Sequence, residues 1–360
     1  MRQNRASDVA KSLLSQASRH LLTPDPTELP EMAYALDDAL DWSLAGDHNQ
    51  DAFEPTYSET RTSALGFEIE PGDRAWSKAD QTEASTRAIR NVIAADMGRD
   101  AAHWFDARTE PFRGRQPGFG TGFGASFSTA IDNHGVVEAA ASYGWSPEMT
   151  SHFPDTVVHM AETAENNLSG LSPFYTTIRC GRSAGGQQIT FDLTRETSFG
   201  DLKPLMEAFG LGHRHPGLMT LGAFVLGARY KLPAHSSALT LLRAGTQIEL
   251  RLDINLDALP DAPEVLLPLL RLPMAERPAA LASFDRWLTA LTPEGYSGPG
   301  SVTVLSIRVR ADMPARLSVF LRPISFSNDE VGESRTSPEL EAASADEFSA
   351  AQMPDWRAVR

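Results

Sequence analysis

Charged and hydroxyl side chains recur at every second position in several short runs of this chain. In ELRLDINL, residues 249–256, Glu249, Arg251, Asp253 and Asn255 alternate with Leu250, Leu252, Ile254 and Leu256. QQITFDLT sets Gln188, Thr190, Asp192 and Thr194 against Ile189, Phe191 and Leu193, and RLSVFLRP sets Arg316, Ser318, Phe320 and Arg322 against Leu317, Val319 and Leu321. Arg308 and Arg310 lie in phase with Ser306 in SVTVLSIRVR, while Tyr175, Thr177 and Arg179 oppose Phe174, Thr176 and Ile178 in FYTTIR. A period of two puts each set on one face of a β-strand. Guanidinium groups on such a face offer paired donors to an anion, carboxylates bind or move protons, and aromatic rings stabilise a nearby cation. The same arginines can instead end as ion pairs with the neighbouring acids.

Five hairpins carry these faces: Phe53 to Pro71, Ala125 to Trp145, Pro173 to Thr194, Ala238 to Leu256 and Ser301 to Phe326. Helices are predicted between them at Lys78 to Met97, Asp155 to Leu168, Phe199 to Leu211 and Pro263 to Leu291. A hairpin followed by a helix recurs at a spacing of roughly fifty to seventy residues, which marks an internal repeat. Residues 213–233 fit neither period, as a helix or as a further strand. Consecutive hairpins make antiparallel neighbours, and the returning helices need an apolar sheet face to cover. A sheet with its polar face in water would explain one such strand. The repeated pairing of helices with a polar face rich in Arg, Tyr, Asp and Glu points instead to a closed barrel, apolar outside and polar within. The fold class is therefore α+β: a closed antiparallel barrel of repeated α-β-β-α units. The charged groups of ELRLDINL would look into its lumen.

The chain has 360 residues, 41% hydrophobic and 22% charged, with no apolar run long enough to span a bilayer. A net charge of −15 repels nucleic acid and anionic lipid, so a bound anion must be held by local arginines. One cysteine, Cys180, leaves no internal disulfide, and the first residues lack the apolar core of a secretory signal, so a cytoplasmic location is expected. Residues 1–22 are basic and rich in Ser and Ala, as a transit peptide is, but Asp8 and the spacing of Leu13, Leu14 and Leu21 predict a docking helix within an N-terminal helical segment, 1–28. Residues 29–326 form the barrel domain, and 327–360, acidic and rich in Ser and Ala, read as a flexible tail.

Other signals fall away. The glycines of GFGTGFGASF, residues 118–127, run into a strand and open no helix, so the phosphate-binding mechanism of such loops does not apply. His213 and His215 have no second His or Cys pair at ligand spacing and read as loop residues. No Gly-x-Ser-x-Gly elbow occurs, and Cys180 lies among the outward apolar positions of its strand.

The order of hairpins and helices over about residues 30–326 resembles the aromatic prenyltransferases of the ABBA, or prenyltransferase-barrel, fold, in particular the indole branch of dimethylallyltryptophan synthases. AFEPTYSETRTSALGFEIEP, residues 52–71, is similar to that family's first hairpin, ASYGWSP, residues 141–147, to the end of its second, and RLSVFLRP to its last strand. The resemblance implies transfer of an allylic prenyl group from its diphosphate to an aromatic, indole-type natural product or peptide, with no cofactor and no essential Mg²⁺. It implies Glu54 as the acid/base group. Arg179, Arg251, Arg308, Arg310, Arg316 and Arg322 would grip the diphosphate, and Tyr143 and Tyr175 would shield the cation in a lumen that also holds Asp192, Glu249, Asp253 and Phe320. The chain departs from the family where the diphosphate is held: the Arg of the first hairpin falls on Gly66. The Lys, spacer, Tyr pairs read Ala141 and Tyr143, Thr190 and Asp192, Arg251 and Asp253, and Ser318 and Phe320. A barrel rebuilt for cyclisation or rearrangement by acid/base catalysis, or for carrying a small molecule, is the alternative.

Overall fold

Leu250, Leu252 and Ile254 are fully buried on one side of their strand, against helices, while Arg251 and Asp253 turn to the other. The same division runs through every long strand of the computed structural model, which describes residues 5–44, 49–72, 76–113, 124–145, 147–182, 184–244, 247–260 and 266–327. The strands are β1 (Phe53–Ser58), β2 (Leu65–Ile69), β3 (Ala125–Asp132), β4 (Gly135–Gly144), β5 (Leu171–Gly181), β6 (Gly185–Leu193), β7 (Thr197–Ser198), β8 (Lys231–Leu232), β9 (Ser237–Ala244), β10 (Gln247–Asn255), β11 (Gly300–Arg310) and β12 (Met313–Pro323). Ten of them close into an antiparallel barrel in the order β1-β12-β11-β10-β9-β6-β5-β4-β3-β2, and β7 and β8 pair with each other apart from it. All five predicted hairpins are present.

The helices are α1 (Ala6–Leu21), α2 (Pro30–Ala39), α3 (Lys78–Asp96), α4 (Arg99–Thr109), α5 (Asp155–Asn167), α6 (Lys203–Ala208), α7 (His215–Val225), α8 (Leu266–Met274) and α9 (Pro278–Leu291). They pack an apolar face on the barrel's outer surface, where most of the hydrophobic core lies. Helix α3 opens on a capping box of Ser77 and Asp80 and buries Ala88, Ile89, Val92 and Ile93. On α9, Phe284 and Trp287 pack around Tyr57 with ring centroids 5.0 and 5.8 Å away. The N-terminal helix α1 forms as predicted and docks on α9, with Gln16 donating to the Thr292 carbonyl at 3.1 Å.

Three elements differ from the sequence reading. The helix expected over Pro263 to Leu291 is two, because Pro278 starts a new helix after Arg277 leaves the helical region. Residues 215–225 are helical, and only Lys231 and Leu232 of that stretch form a strand. Helix α4 was not anticipated: Gly98, at φ +90°, separates it from α3, and its buried face is only Ala102, Phe105 and Thr109. Among the described residues no helix is long and apolar enough to cross a membrane. The tail predicted at 327–360 lies outside the described residues beyond Ser327.

Candidate active site

Because the hairpins alternate up and down, their five turns fall at one end of the barrel and the helical connections at the other. A chamber opens at the turn end. Its empty space is about 1100 Å³, the open mouth included. Ser58, Glu68, Tyr175, Arg179, Arg251 and Arg308 are among the side chains that line it.

Nearest the turns lies a tier of five charged groups. Arg61, from the β1–β2 turn, reaches β4, where its Nη2 donates to Glu138 Oε2 at 2.7 Å. Arg179 Nη2 stands 2.8 Å from the same oxygen. Arg308 donates to Glu249 Oε1 from Nε at 2.9 Å and from Nη2 at 2.5 Å, and its Nη1 donates to Ser58 and Thr60. Burial works against ionisation of Glu138, but Arg179, Arg61 and Arg308 outweigh it and hold its carboxyl below the usual range. Burial lowers Arg179, with the like charges of Arg61 and Arg308 acting in the same direction.

The turn that carries Arg61 is tied down from outside. The Glu59 side chain, fully enclosed, accepts from Arg277 Nε and Nη2 at 3.0 and 2.6 Å and from the Leu317 amide at 2.7 Å. Ser283 of α9 donates to the Thr62 carbonyl. These contacts fix the turn against α9 and β12 and aim Arg61 across the mouth.

A second tier lies at mid-height. Arg251 Nε donates to Asp253 Oδ2 at 2.9 Å, and Asp253 also accepts from Thr240 and Ser306. Burial opposes the charge of Arg251 but is overcome by Asp253, Tyr175 and Glu68, which raise its pKa. Glu68 accepts from Ser126 at 2.6 Å; burial raises its pKa, and Ser126 and Arg251 only partly offset this. Burial also pushes the Tyr175 hydroxyl up to about 12.

Deeper, past the chamber lining, Thr303 donates to Glu54 at 2.5 Å. Burial, reinforced by the charges of Glu68 and Asp51 and opposed by the Thr303 hydroxyl, raises the Glu54 carboxyl to about 8. At the same end Arg322 pairs with Asp51 and Asp257, each at 2.6 Å. Asp192 holds His235 Nδ1 at 2.5 Å.

The sequence-derived set is thus divided. Tyr175, Arg179, Glu249, Arg251, Arg308 and Phe320 line the chamber, with Asp253 beneath Arg251. Glu54, Asp192 and Arg322 belong to the far end. Arg310 turns back to Asp312 at 2.7 Å, and Arg316 stands opposite Arg308 in register, outside the chamber lining, where Arg277 adds to burial in lowering its pKa. Tyr143 does not face the lumen. Its hydroxyl lies 2.8 Å from Thr86 of α3, and its ring stacks on Phe112 at 4.8 Å, so the inward positions of β4 are Glu138, Ala140 and Ser142. Gly66 lines the chamber, but a Cβ there would stand 2.3 Å from Thr56 Oγ1, so no side chain fits without moving Thr56. The sequence reading missed Arg61 and Glu138: the first is in a turn, and the second is in an Ala-rich strand that shows no alternation.

His213 and His215 separate, the first approaching the Ala311 carbonyl and the second the Phe199 carbonyl. Among the described residues no three His, Cys, Asp or Glu side chains gather as metal ligands.

A closed ten-stranded antiparallel barrel with helices outside and a polar lumen is the prenyltransferase barrel, the ABBA fold. No known family's sequence profile matches the chain, and no curated protein matches it in sequence. Solved structures match it closely in shape. The 5-dimethylallyl tryptophan synthase from Streptomyces coelicolor, in complex with DMASPP and Trp, superposes with a TM-score of 0.69 at 14% identity over 90% of this chain and 97% of that one. The 6-dimethylallyltryptophan synthase from Micromonospora olivasterospora gives 0.67 at 11% identity over 88% and 97%. The prenyltransferase PriB gives 0.64 at 14% over 90% and 98%. At these identities the likeness is one of fold.

Proposed function

We propose that this chain is a cytoplasmic aromatic prenyltransferase, moving an allylic prenyl group from its diphosphate to an indole-type small molecule or peptide. The observation that carries the reading is the convergence of Arg61, Arg179 and Arg308 on the mouth of a closed lumen that holds buried carboxyl groups below. Two of the similar solved structures hold DMASPP and tryptophan, which supports this donor and acceptor class.

Heterolysis of the allylic C–O bond leaves the electron pair, and negative charge, on the departing diphosphate. Guanidinium donors preorganised around it stabilise that charge more than they stabilise the substrate. Tyr175 and Phe320 supply aromatic faces for the allylic cation. After the aromatic ring attacks, a proton must leave it. Glu68, facing the chamber with a raised pKa, is the acceptor, and Glu54, its cross-strand neighbour, holds a further proton behind it. This chemistry needs no cofactor, and with arginines supplying the positive charge Mg²⁺ is not essential.

A second reading, a barrel that has abandoned diphosphates for an acid/base reaction or for binding alone, is favoured by one observation. Arg61, Arg179, Arg251 and Arg308 each already face a carboxylate. A thermal-shift titration with inorganic pyrophosphate, dimethylallyl diphosphate and geranyl diphosphate separates the two. Saturable stabilisation that disappears in Arg308→Ala supports prenyl transfer, and indoles are then screened as acceptors. No shift at millimolar ligand rejects it in favour of the second reading.

A further inference from the structure

The donors that a diphosphate would use are occupied in the free protein. Glu138 Oε2 lies 2.7 Å from Arg61 Nη2 and 2.8 Å from Arg179 Nη2, and Glu249 Oε1 lies 2.9 and 2.5 Å from Nε and Nη2 of Arg308. Three guanidinium groups therefore face two carboxylates, which leaves the tier one net positive charge before any ligand arrives. A departing diphosphate of about three negative charges requires the same N–H groups in the same planes. Both carboxylates are only slightly accessible, at 19% and 7% of the side chain, so they cannot swing into solvent to make room without giving up their partners. A carboxylate that loses such a pairing partner in a poorly solvated site is left strongly destabilised, which drives the pair to re-form.

We infer that Glu138 and Glu249 are internal counter-anions that compete with diphosphate for the arginine tier and so set how readily the product leaves. The inference rests on the prenyl-transfer reading above. Neither residue touches the reacting atoms; both act through the arginines they hold. In the resting state they keep three like charges gathered and aimed. Once the prenyl group has moved, they reclaim the guanidinium groups, and the leaving group is released instead of remaining as a tight inhibitor.

Isothermal titration of the full chain with inorganic pyrophosphate tests this, using Glu138→Gln and Glu249→Gln, which keep shape and hydrogen-bonding capacity but remove the charge. The expected result is a Kd lower by tenfold or more in each variant than in the wild type, with stronger pyrophosphate inhibition of turnover. A residue that merely supports the structure would weaken binding when replaced. Unchanged or weaker affinity in both variants, with wild-type binding that Arg308→Ala abolishes, overturns the inference and leaves the prenyl-transfer reading standing. No binding to the wild type or to either variant, with all three folded by melting temperature, removes both.

Discussion

Glu54 and Glu68 stand directly opposite each other on β1 and β2, two carboxyl groups on adjacent strands facing one lumen. Each has its pKa raised by burial, and the Glu68 charge adds to the rise at Glu54. With its pKa moved from 4.5 to about 8, Glu54 in the folded chain keeps its proton where the unfolded chain has lost it. The folded state therefore binds more protons across that window, and stability falls as pH rises through it. Replacing Glu54 by Gln removes the dependence. The gain in melting temperature of Glu54→Gln over wild type should be larger at pH 9 than at pH 5, by about 5 °C. An equal offset at both pH values would show that Glu54 ionises normally.

Glu59 is the outer anchor of the Arg61 turn. Glu59→Ala strands the Arg277 guanidinium and the Leu317 amide, and it should cost about 3 kcal/mol in denaturant unfolding. The same variant should weaken pyrophosphate binding, since Arg61 loses its support. Glu59→Gln, which keeps the acceptor for Leu317, should lose less.

Gly66→Ala should destabilise the barrel by about 1–3 kcal/mol, because the new methyl meets Thr56 Oγ1. Adding Thr56→Ala should recover part of the loss. A double variant no more stable than Gly66→Ala alone would place the strain elsewhere.

Tyr143 and Tyr175 should behave as opposites. Tyr143→Phe removes a buried hydroxyl paired with Thr86 and should cost about 1 kcal/mol of stability while leaving ligand binding unchanged. Tyr175→Ala opens the chamber wall and should lower turnover at least tenfold with a smaller effect on pyrophosphate affinity.

The barrel was legible because alternation is strict wherever a strand has polar lumen residues on one side and apolar contacts with helices on the other. β6, β10, β11 and β12 read correctly for this reason, and with them the lumen-facing positions of Glu249, Arg251 and Arg308. Strand β4 did not. Its run Ala139, Ala140, Ala141 offers small apolar side chains to both faces, so no phase is legible there; the family resemblance alone puts Tyr143 inward, where the strand presents Glu138, Ala140 and Ser142 instead. Arg61 follows no period because it lies in a turn, and its role comes from reaching Glu138, 77 positions along the chain. The likeness of the first hairpin singles out Glu54, but no local pattern shows that Glu68 is the carboxyl that lines the chamber. Pairing between strands decides that.

The closed hydrogen-bond circuit also governs how this protein can meet others. Each barrel strand has a neighbour on both sides, so among the described residues the barrel presents no free backbone edge to recruit an extended peptide or a second copy by strand addition. The barrel itself offers no template for fibril-like growth. At the barrel, recognition of a larger molecule falls to side chains: the outer helix faces at the wall, and the turns around the mouth.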